Sequence, residues 1–377
     1  MNIAIWGAGK FGQYIFSQLE ADKDTNVVCF IDSNAGGGYM VKGVDVVTPD
    51  VYMERYAAKT EAVLVAFFGG MRLLEQLQGL GIQRFGFIRQ RVYACQLPLQ
   101  HIELGDKNII WNNDNDVFTK TFMSTLETNV VDYCNLNCKG CSHFSNLFPK
   151  GSEIPFEIFE RDIKQLSTKV FISQFNLLGG EVLLSGSLTD YISCLKKYMP
   201  KTQVELVSNG LLIPYQKEEV LECIRDNDVT VSITEYPPTT TVLQKIEDRL
   251  QKYQIPYSVR SLVKTFGKNI DISGGNIPGI AMMNCRESKC QFLRDGKLYK
   301  CPFAALGNYF FEHYEIPIRL NEGIDIYDNA LDWKEEIRRL CNEPIETCRY
   351  CGMEERFAWG RSDSPAKEEW LLEELQQ

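Results

Sequence analysis

The chain has no apolar run long enough to cross a bilayer. Nor does a positive segment with an apolar core and cleavage site precede its first strand. Neither a membrane span nor a secretory leader is expected. Long blocks of one charge are also missing: 40 basic and 50 acidic residues leave a net charge of −10 spread along the sequence. That argues against broad nucleic-acid or membrane-surface binding. Cysteine is not scarce, and the 13 residues are odd in number and clustered. With no leader, the pattern suggests reduced thiols in a cytoplasm, holding metal rather than pairing as disulfides. At 377 residues the chain has room for two or three domains, each with its own core.

The stretch around which the rest is organised is Cys134-Asn135-Leu136-Asn137-Cys138-Lys139-Gly140-Cys141. It follows Thr125–Asp132, which reads as a strand running into a loop. A closed zinc site wants four protein ligands, usually as two Cys-x2-Cys pairs, so three thiols in Cys-x3-Cys-x2-Cys leave such a site one short. A four-iron cluster on three cysteines keeps one iron open to an outside ligand. Half of a zinc knuckle is the plainer alternative.

In chain order, Asn2–Trp6 reads as a strand, Gly7-Ala8-Gly9-Lys10-Phe11-Gly12 as a turn, and the residues around Ile15 and Leu19 as a helix. This is G-x-G-x-x-G in a strand–turn–helix setting, where glycines let backbone approach a phosphate at a helix N-terminus. The strand Val27–Ile31 ends in Asp32, placed to bond a ribose hydroxyl. Val63–Phe68 supplies a further buried strand, and 73–82 a helix with a glycine stop leading to the next strand. The alternative is a Rossmann-like domain that keeps the tight turn for packing and binds nothing. The pattern resembles the small nucleotide-binding domains attached to bacterial sugar-modifying and capsule-biosynthesis enzymes, which makes a nucleotide sugar a better guest than NAD. The expected boundaries are a domain over 1–100 and a linker over 101–123, around Pro98, Gly105 and Asn112–Asp116.

From 124 to 275, short apolar runs at Phe175–Leu178, Val204–Val207, Val229–Ile233 and Tyr257–Val259 alternate with helical stretches at Phe156–Leu166, Leu188–Tyr198, Glu218–Arg225 and Val242–Tyr253. Alternating βα units imply a parallel sheet with functional groups at the carboxyl ends of its strands. Gly179-Gly180-Glu181 and Ser208-Asn209-Gly210 stand at two such ends. In this order after the three cysteines, they make the chain similar to the radical S-adenosylmethionine (SAM) superfamily.

The resemblance implies a partial (β/α)6 barrel and a cluster on Cys134, Cys138 and Cys141. It places the amino group of SAM's methionine moiety on Gly179, Gly180 and Glu181, and the ribose near Ser208 and Asn209. The residue before the last cysteine is commonly an aromatic that packs on adenine; here it is Gly140, which leaves Phe144 or Tyr133 to stack. His143 reads as supporting the site rather than ligating. Glu235 and Tyr236, after the strand ending at Ile233–Thr234, are candidates for substrate contact or proton transfer, and Arg260 for pairing with the SAM carboxylate. Cys194 and Cys223 fall within amphipathic helices and read as core.

The remaining chemistry lies in 285–351. Gln291–Lys300 reads as a hairpin on an Asp295-Gly296 turn, which sets Cys290 opposite Cys301 with Cα atoms about 4.5–5.5 Å apart. Cys348-x2-Cys351 adds a complementary pair. Four such ligands suit structural zinc or a second four-iron cluster. The arrangement resembles the twitch half of the SPASM extension of radical-SAM enzymes. Gly296 and Cys301 match its spacing, and either Cys285 or Cys290 serves as first ligand. The longer cysteine tail of a full SPASM domain is missing, so one auxiliary cluster is implied. Cys341 reads as a helix residue, and Ser364–Leu375 as a terminal amphipathic helix docking through Trp370.

Together these readings give an α/β protein in parts: a Rossmann-like domain, a radical-SAM partial barrel over 124–275, a small twitch-like Fe–S domain over 276–355, and a helix within 356–377. The resemblance implies a deoxyadenosyl radical that takes a hydrogen atom from a substrate, two 4Fe–4S clusters, SAM, and a reductase such as flavodoxin or ferredoxin. Oxidation, epimerisation and elimination stay open. A sugar or nucleotide sugar in bacterial glycan biosynthesis is the favoured substrate; a ribosomal peptide, or a non-catalytic zinc scaffold or nucleotide sensor, are the alternatives.

Overall fold

A computed structural model describes residues 1–36, 38–67, 71–97, 108–113 and 119–373, and divides the chain into Met1–Ser124 and Thr125–Gln377. Within the described residues, no helix is long and apolar enough to cross a membrane.

The first unit is built on a seven-stranded sheet of β1 (Asn2–Trp6), β2 (Asn26–Ile31), β3 (Met40–Val41), β4 (Val44–Val47), β5 (Ala62–Val65), β6 (Phe85–Ile88) and β7 (Ile109–Trp111). The strands lie in the order β3-β4-β2-β1-β5-β6-β7. The parallel strands β1, β5 and β6 are near-continuous apolar runs because helices cover parallel sheets on both faces. The helix Lys10–Leu19 turns Gly12, Ile15, Phe16 and Leu19 inward, the i, i+3, i+4, i+7 face of an amphipathic helix.

β7 lies inside the stretch read as a linker, where it pairs antiparallel with β6 and buries Ile109, Ile110 and Trp111. The polar run Asn112–Asp116 obscured this short strand in the sequence. Pro98, Gly105 and Asp114–Asp116 lie outside the described residues, as does Phe68 of the expected strand.

The second unit carries an eight-stranded sheet of β8 (Thr121–Val131), β9 (Val170–Gly179), β10 (Gln203–Ser208), β11 (Thr230–Thr234), β12 (Tyr257–Arg260), β14 (Phe292–Arg294), β15 (Lys297–Tyr299) and β16 (Ile324–Asp325). Their order is β12-β11-β10-β9-β8-β14-β15-β16. β9 to β12 pair in parallel, with helices at Phe156–Ser167, Leu188–Tyr198, Glu218–Asp226 and Leu243–Lys252 as crossovers. On the other side of β8 the sheet is continued by β14, which pairs parallel with it at Glu127, and not by a further βα unit.

The β14–β15 hairpin has the expected register, Arg294 opposite Lys297, and both turn residues, Asp295 and Gly296, have positive φ. Buried Asp162 accepts from the Gly296 N–H at 2.9 Å and so fixes the turn against its helix. Arg294 grips Asp132 through two bonds of 2.9 Å, which ties the hairpin to the residues leading into the cysteine loop.

A separate antiparallel pair joins β13 (Thr265–Ile270) to β17 (Cys351–Ala358). β17 and a single 3₁₀ turn at Lys367–Glu369 replace the expected C-terminal helix; residues 374–377 lie outside the described set. The backbone there is committed elsewhere, with Ile270 N–H donating to Trp370 O and Leu372 N–H to Ile270 O. Trp370 itself is buried, as its apolar character demanded.

Candidate functional site

The cysteine loop leaves β8 and winds through three left-handed residues, Asn137, Gly140 and Phe144. β9 ends directly on it. A Cβ on Gly179 would lie 2.0 Å from Val131 O, and one on Gly180 2.2 Å from Tyr133 O. These glycines therefore seat β9 on the loop's own backbone, through Gly180 N–H to Val131 O at 2.8 Å and Glu181 N–H to Tyr133 O at 3.1 Å.

Glu181 is 1% exposed, and its carboxylate takes the Ser208 hydroxyl at 2.7 Å and the N–H groups of Asn209 and Leu183 at 2.8 and 3.1 Å. Its side chain thus joins two strand ends beside the loop. Burial raises its pKa, and those three donors oppose the rise. Asn209 extends its amide to Asn135 Oδ1 at 2.8 Å and faces Cys134 Sγ at 3.9 Å.

The loop is clasped from the far end of the chain. Lys139 N–H donates to Gly360 O, Ser362 N–H to Asn137 O, and Trp370 Nε1–H to Cys141 O at 2.8 Å. Trp359 Nε1–H points at Cys138 Sγ at 3.2 Å, and Leu136 N–H at Cys134 Sγ at 3.4 Å. A Cβ on Gly140 would lie 2.7 Å from both Glu369 O and Phe357 Cζ, so Phe357 fills the space that an aromatic before the last cysteine would need. Nothing in the spacing of the cysteines announced this clasp; the tryptophans and Phe357 stood more than two hundred residues away.

A single cavity of about 1070 Å³ opens here. Its wall includes Cys134, Cys138, Cys141, Gly179, Gly180, Ser208, Asn209, Tyr236 and Arg260 on one side of the chain's order, and Cys285, Cys290, Cys301 and Cys351 from the later segment. Tyr236 packs its ring 5.7 Å from Trp359 and 6.1 Å from Phe266. Arg260 reaches the wall but is already paired, to Glu205 at 3.5 Å and Ser232 Oγ at 2.9 Å.

Glu235 and Phe144 each have partners within the chain. Glu235 accepts from Thr240 Oγ1 at 2.6 Å, at the end of the short helix that the prolines after Tyr236 start, and is not among the residues lining the cavity. Phe144, 1% exposed, stacks on Phe310 at 5.1 Å within an aromatic core and also lines the cavity. His143 lines the cavity with Nδ1 2.9 Å from Asn129 Oδ1, and burial lowers its pKa to about 4.

Burial pushes the Cys138 thiol up to about 12, opposed by the Trp359 hydrogen bond, and raises Cys134 further. Such thiols ionise when a metal charge arrives and releases their protons. The residues fit a cluster: N–H groups aim at two of the three sulfurs, and Ser145 Oγ is buried in the cavity wall with no hydrogen-bond partner.

In the later segment, burial raises Cys285, Cys301, Cys348 and Cys351. Lys300 is buried beside them with Nζ 2.8 Å from Leu340 O, a positive charge suited to thiolates. Cys341 sits in the helix Trp333–Asn342, and Cys194 is core. Among the described residues, no three histidine, cysteine or acidic groups converge on one metal ion. That is a condition for a single ion, not for a four-iron cluster, whose cysteines each bind a different iron.

In the first unit, Gly7 has φ +112 and a Cβ on Gly12 would lie 1.8 Å from Gly7 O, while a Cβ on Gly9 would meet nothing within 4 Å. Asp32 takes the Ala8 N–H at 3.2 Å and thereby shapes the glycine turn.

Residues 126–236 match the family described as a 4Fe-4S single cluster domain. No curated protein matches the chain in sequence. Among solved structures, the chain is similar to anSMEcpe with bound AdoMet at 18% identity and TM-score 0.30, covering 37% of this chain and 43% of that one. It is similar to BtrN in complex with AdoMet and 2-DOIA at 18% identity and TM-score 0.37, covering 62% and 94%. A third is Streptococcus suis SuiB bound to S-adenosylmethionine, at 13% identity and TM-score 0.34, covering 60% and 67%. The overlap spans less than half of the anSMEcpe chain. The stretch that matches the 4Fe-4S single cluster family contains the three-cysteine loop and both glycine-bearing strand ends.

Proposed function

We propose that the chain is an enzyme that uses SAM to generate a radical on a sugar or nucleotide sugar. The observation carrying this reading is the one cavity whose wall includes both cysteine sets together with Ser208, Asn209 and Tyr236. Cys134, Cys138 and Cys141 would hold a cluster that, when reduced, would supply the electron for cleavage of SAM's sulfonium. Around it, the wall carries the charged side chains of Glu127, Arg260, Lys264, Lys268 and Arg286 among apolar groups, a mixture suited to a hydroxyl-rich or phosphorylated substrate. Cys301, Cys348, Cys351 and one of Cys285 or Cys290 would hold the auxiliary cluster, with a flavodoxin or ferredoxin as the electron source.

The glycine turn supports the nucleotide part of the reading. Gly12 packs the helix against Gly7, and open space over Gly9 lets a phosphate approach the helix N-terminus.

The test is iron and sulfide per chain on anaerobically purified protein, beside the Cys134→Ala/Cys138→Ala/Cys141→Ala variant, with deoxyadenosine release assayed after reduction with SAM. About eight irons falling to about four, with loss of deoxyadenosine, is the expected result. No iron in any preparation sinks the enzymatic reading and leaves the scaffold.

A further inference from the structure

The strand that starts at one cysteine site leads onto the other. β17 begins with Cys351, a candidate ligand of the auxiliary cluster, and runs antiparallel to β13 as far as Ala358 opposite Thr265. Trp359 N–H carries the ladder one step further by donating to Lys264 O at 3.0 Å. Residues 360–362 then lie along the cysteine loop. Lys139 N–H donates to Gly360 O at 2.9 Å, Ser362 N–H donates to Asn137 O at 2.8 Å, and Cys138 and Arg361 form an antiparallel bridge. Backbone bonds on both sides thus hold Trp359 at a fixed place beside Cys138.

The side chain uses that place. Its indole Nε1–H points at Cys138 Sγ at 3.2 Å, while its ring packs 5.7 Å from Tyr236. Nearby, Leu136 N–H at 3.4 Å and the Asn209 amide at 3.9 Å are both directed at Cys134. Trp359 is not among the residues lining the cavity, so it acts on the site through its neighbours.

An indole N–H can donate but not accept, and it carries no charge. It therefore keeps the positive end of a dipole on the sulfur whatever the redox state. Ligand sulfur gains negative charge when its cluster is reduced, and hydrogen bonds to charged acceptors are the stronger ones. A donor fixed at that sulfur favours the reduced state, and such bonds are among the factors that set cluster potentials.

We propose that Trp359 is a positioning residue: by donating its indole N–H to Cys138, it raises the reduction potential of the cluster that Cys134, Cys138 and Cys141 would hold. The proposal rests on the SAM reading above and adds to it a role for the far end of the chain. One electron enters from the external flavodoxin or ferredoxin, the indole keeps its proton, and no covalent bond changes at Trp359.

The test is a potentiometric titration of the reconstituted holoenzyme followed by electron paramagnetic resonance. The Cys134→Ala/Cys138→Ala/Cys141→Ala protein supplies the signal of the auxiliary cluster alone. Two changes remove the donor. Trp359→Phe keeps an aromatic ring against Tyr236, and benzothienylalanine at position 359, with sulfur where indole has N–H, keeps the whole shape. Each is expected to retain the wild-type iron content and to lower the equilibrium constant for reduction of the first cluster about tenfold, about 59 mV for a one-electron couple.

The auxiliary cluster should titrate unchanged. An unshifted first cluster in the fully loaded benzothienylalanine protein overturns the proposal. So does loss of about four irons from that protein, because the N–H would then hold the loop rather than tune it. Equal shifts of both clusters also overturn it, as the mark of a general change along β17. Wild type with no iron, or with no signal beyond that of the triple variant, is a failure of the SAM reading instead, so the two failures are distinguishable.

Discussion

At the turn after β1, a Cβ on Gly9 would meet nothing within 4 Å, whereas after β9 one on Gly180 would lie 2.2 Å from Tyr133 O and 2.7 Å from Cys134 N. Both glycines follow a parallel strand, and from sequence both read as a gap through which a ligand reaches backbone. One gap is open and the other is filled by the chain itself. The comparison teaches that glycine marks a close approach without saying what approaches. At Gly180 it is the cysteine loop on the Cβ side, while the residue also lines the cavity.

Four substitutions or conditions sharpen this contrast. Gly180→Ala forces a methyl into backbone that has no flexible end to move; it should cost about 3 kcal/mol or more and empty the first cluster. Denaturant unfolding with iron analysis reads both, and full iron loading would contradict the account. Gly12→Ala meets Gly7 O at 1.8 Å, so it should destabilise the first unit by about 3 kcal/mol while iron content stays unchanged. Hydrogen exchange in β1 and β5 gives the measure.

Acid should separate the units next. His143 is held neutral by burial, with its pKa near 4 against about 6.5 when unfolded. Between these values only the unfolded chain takes up the proton. Stability of the second unit should therefore fall as pH drops from about 6.5 toward about 4, and His143→Gln should flatten that slope. Exchange protection followed across 125–373 would show it.

Gly9→Ala should be the mildest. Gly9 caps its helix at φ −69, which alanine adopts freely, and the stability change should stay within about 1 kcal/mol. Titration with UDP-glucose should nevertheless lose any binding that wild type shows. Unaltered binding would mean that the open space over Gly9 is not a phosphate site.

Much of the second unit was legible because the signals are local. The apolar runs at Val204–Val207 and Val229–Ile233 coincide with β10 and β11 to within a residue, and the helix Leu188–Tyr198 has the expected bounds. Alternation of period and glycine punctuation suffice for such elements. β7 was hidden because three buried residues sit beside a polar run, too short for periodicity to register. The C-terminal tail misled for a different reason: Ser364 and Pro365 are good helix starters, and only pairing with Ile270 turns that backbone to another use. Glu235 and Phe144 were placed near the right strand ends, but which way a side chain leaves a loop is decided by its packing partners, Thr240 and Phe310.

What the sequence determined by itself is the chemistry of the cysteine loop and the order of the motifs around it, since three thiols within eight residues are held together by the covalent chain. What only the tertiary structure decided is everything assembled across long separations. It brought Trp359 to Cys138, made Glu181 a tie to Ser208, and set Arg294 on Asp132. Those contacts depend on strand pairing and burial, which bring together residues that no local spacing connects.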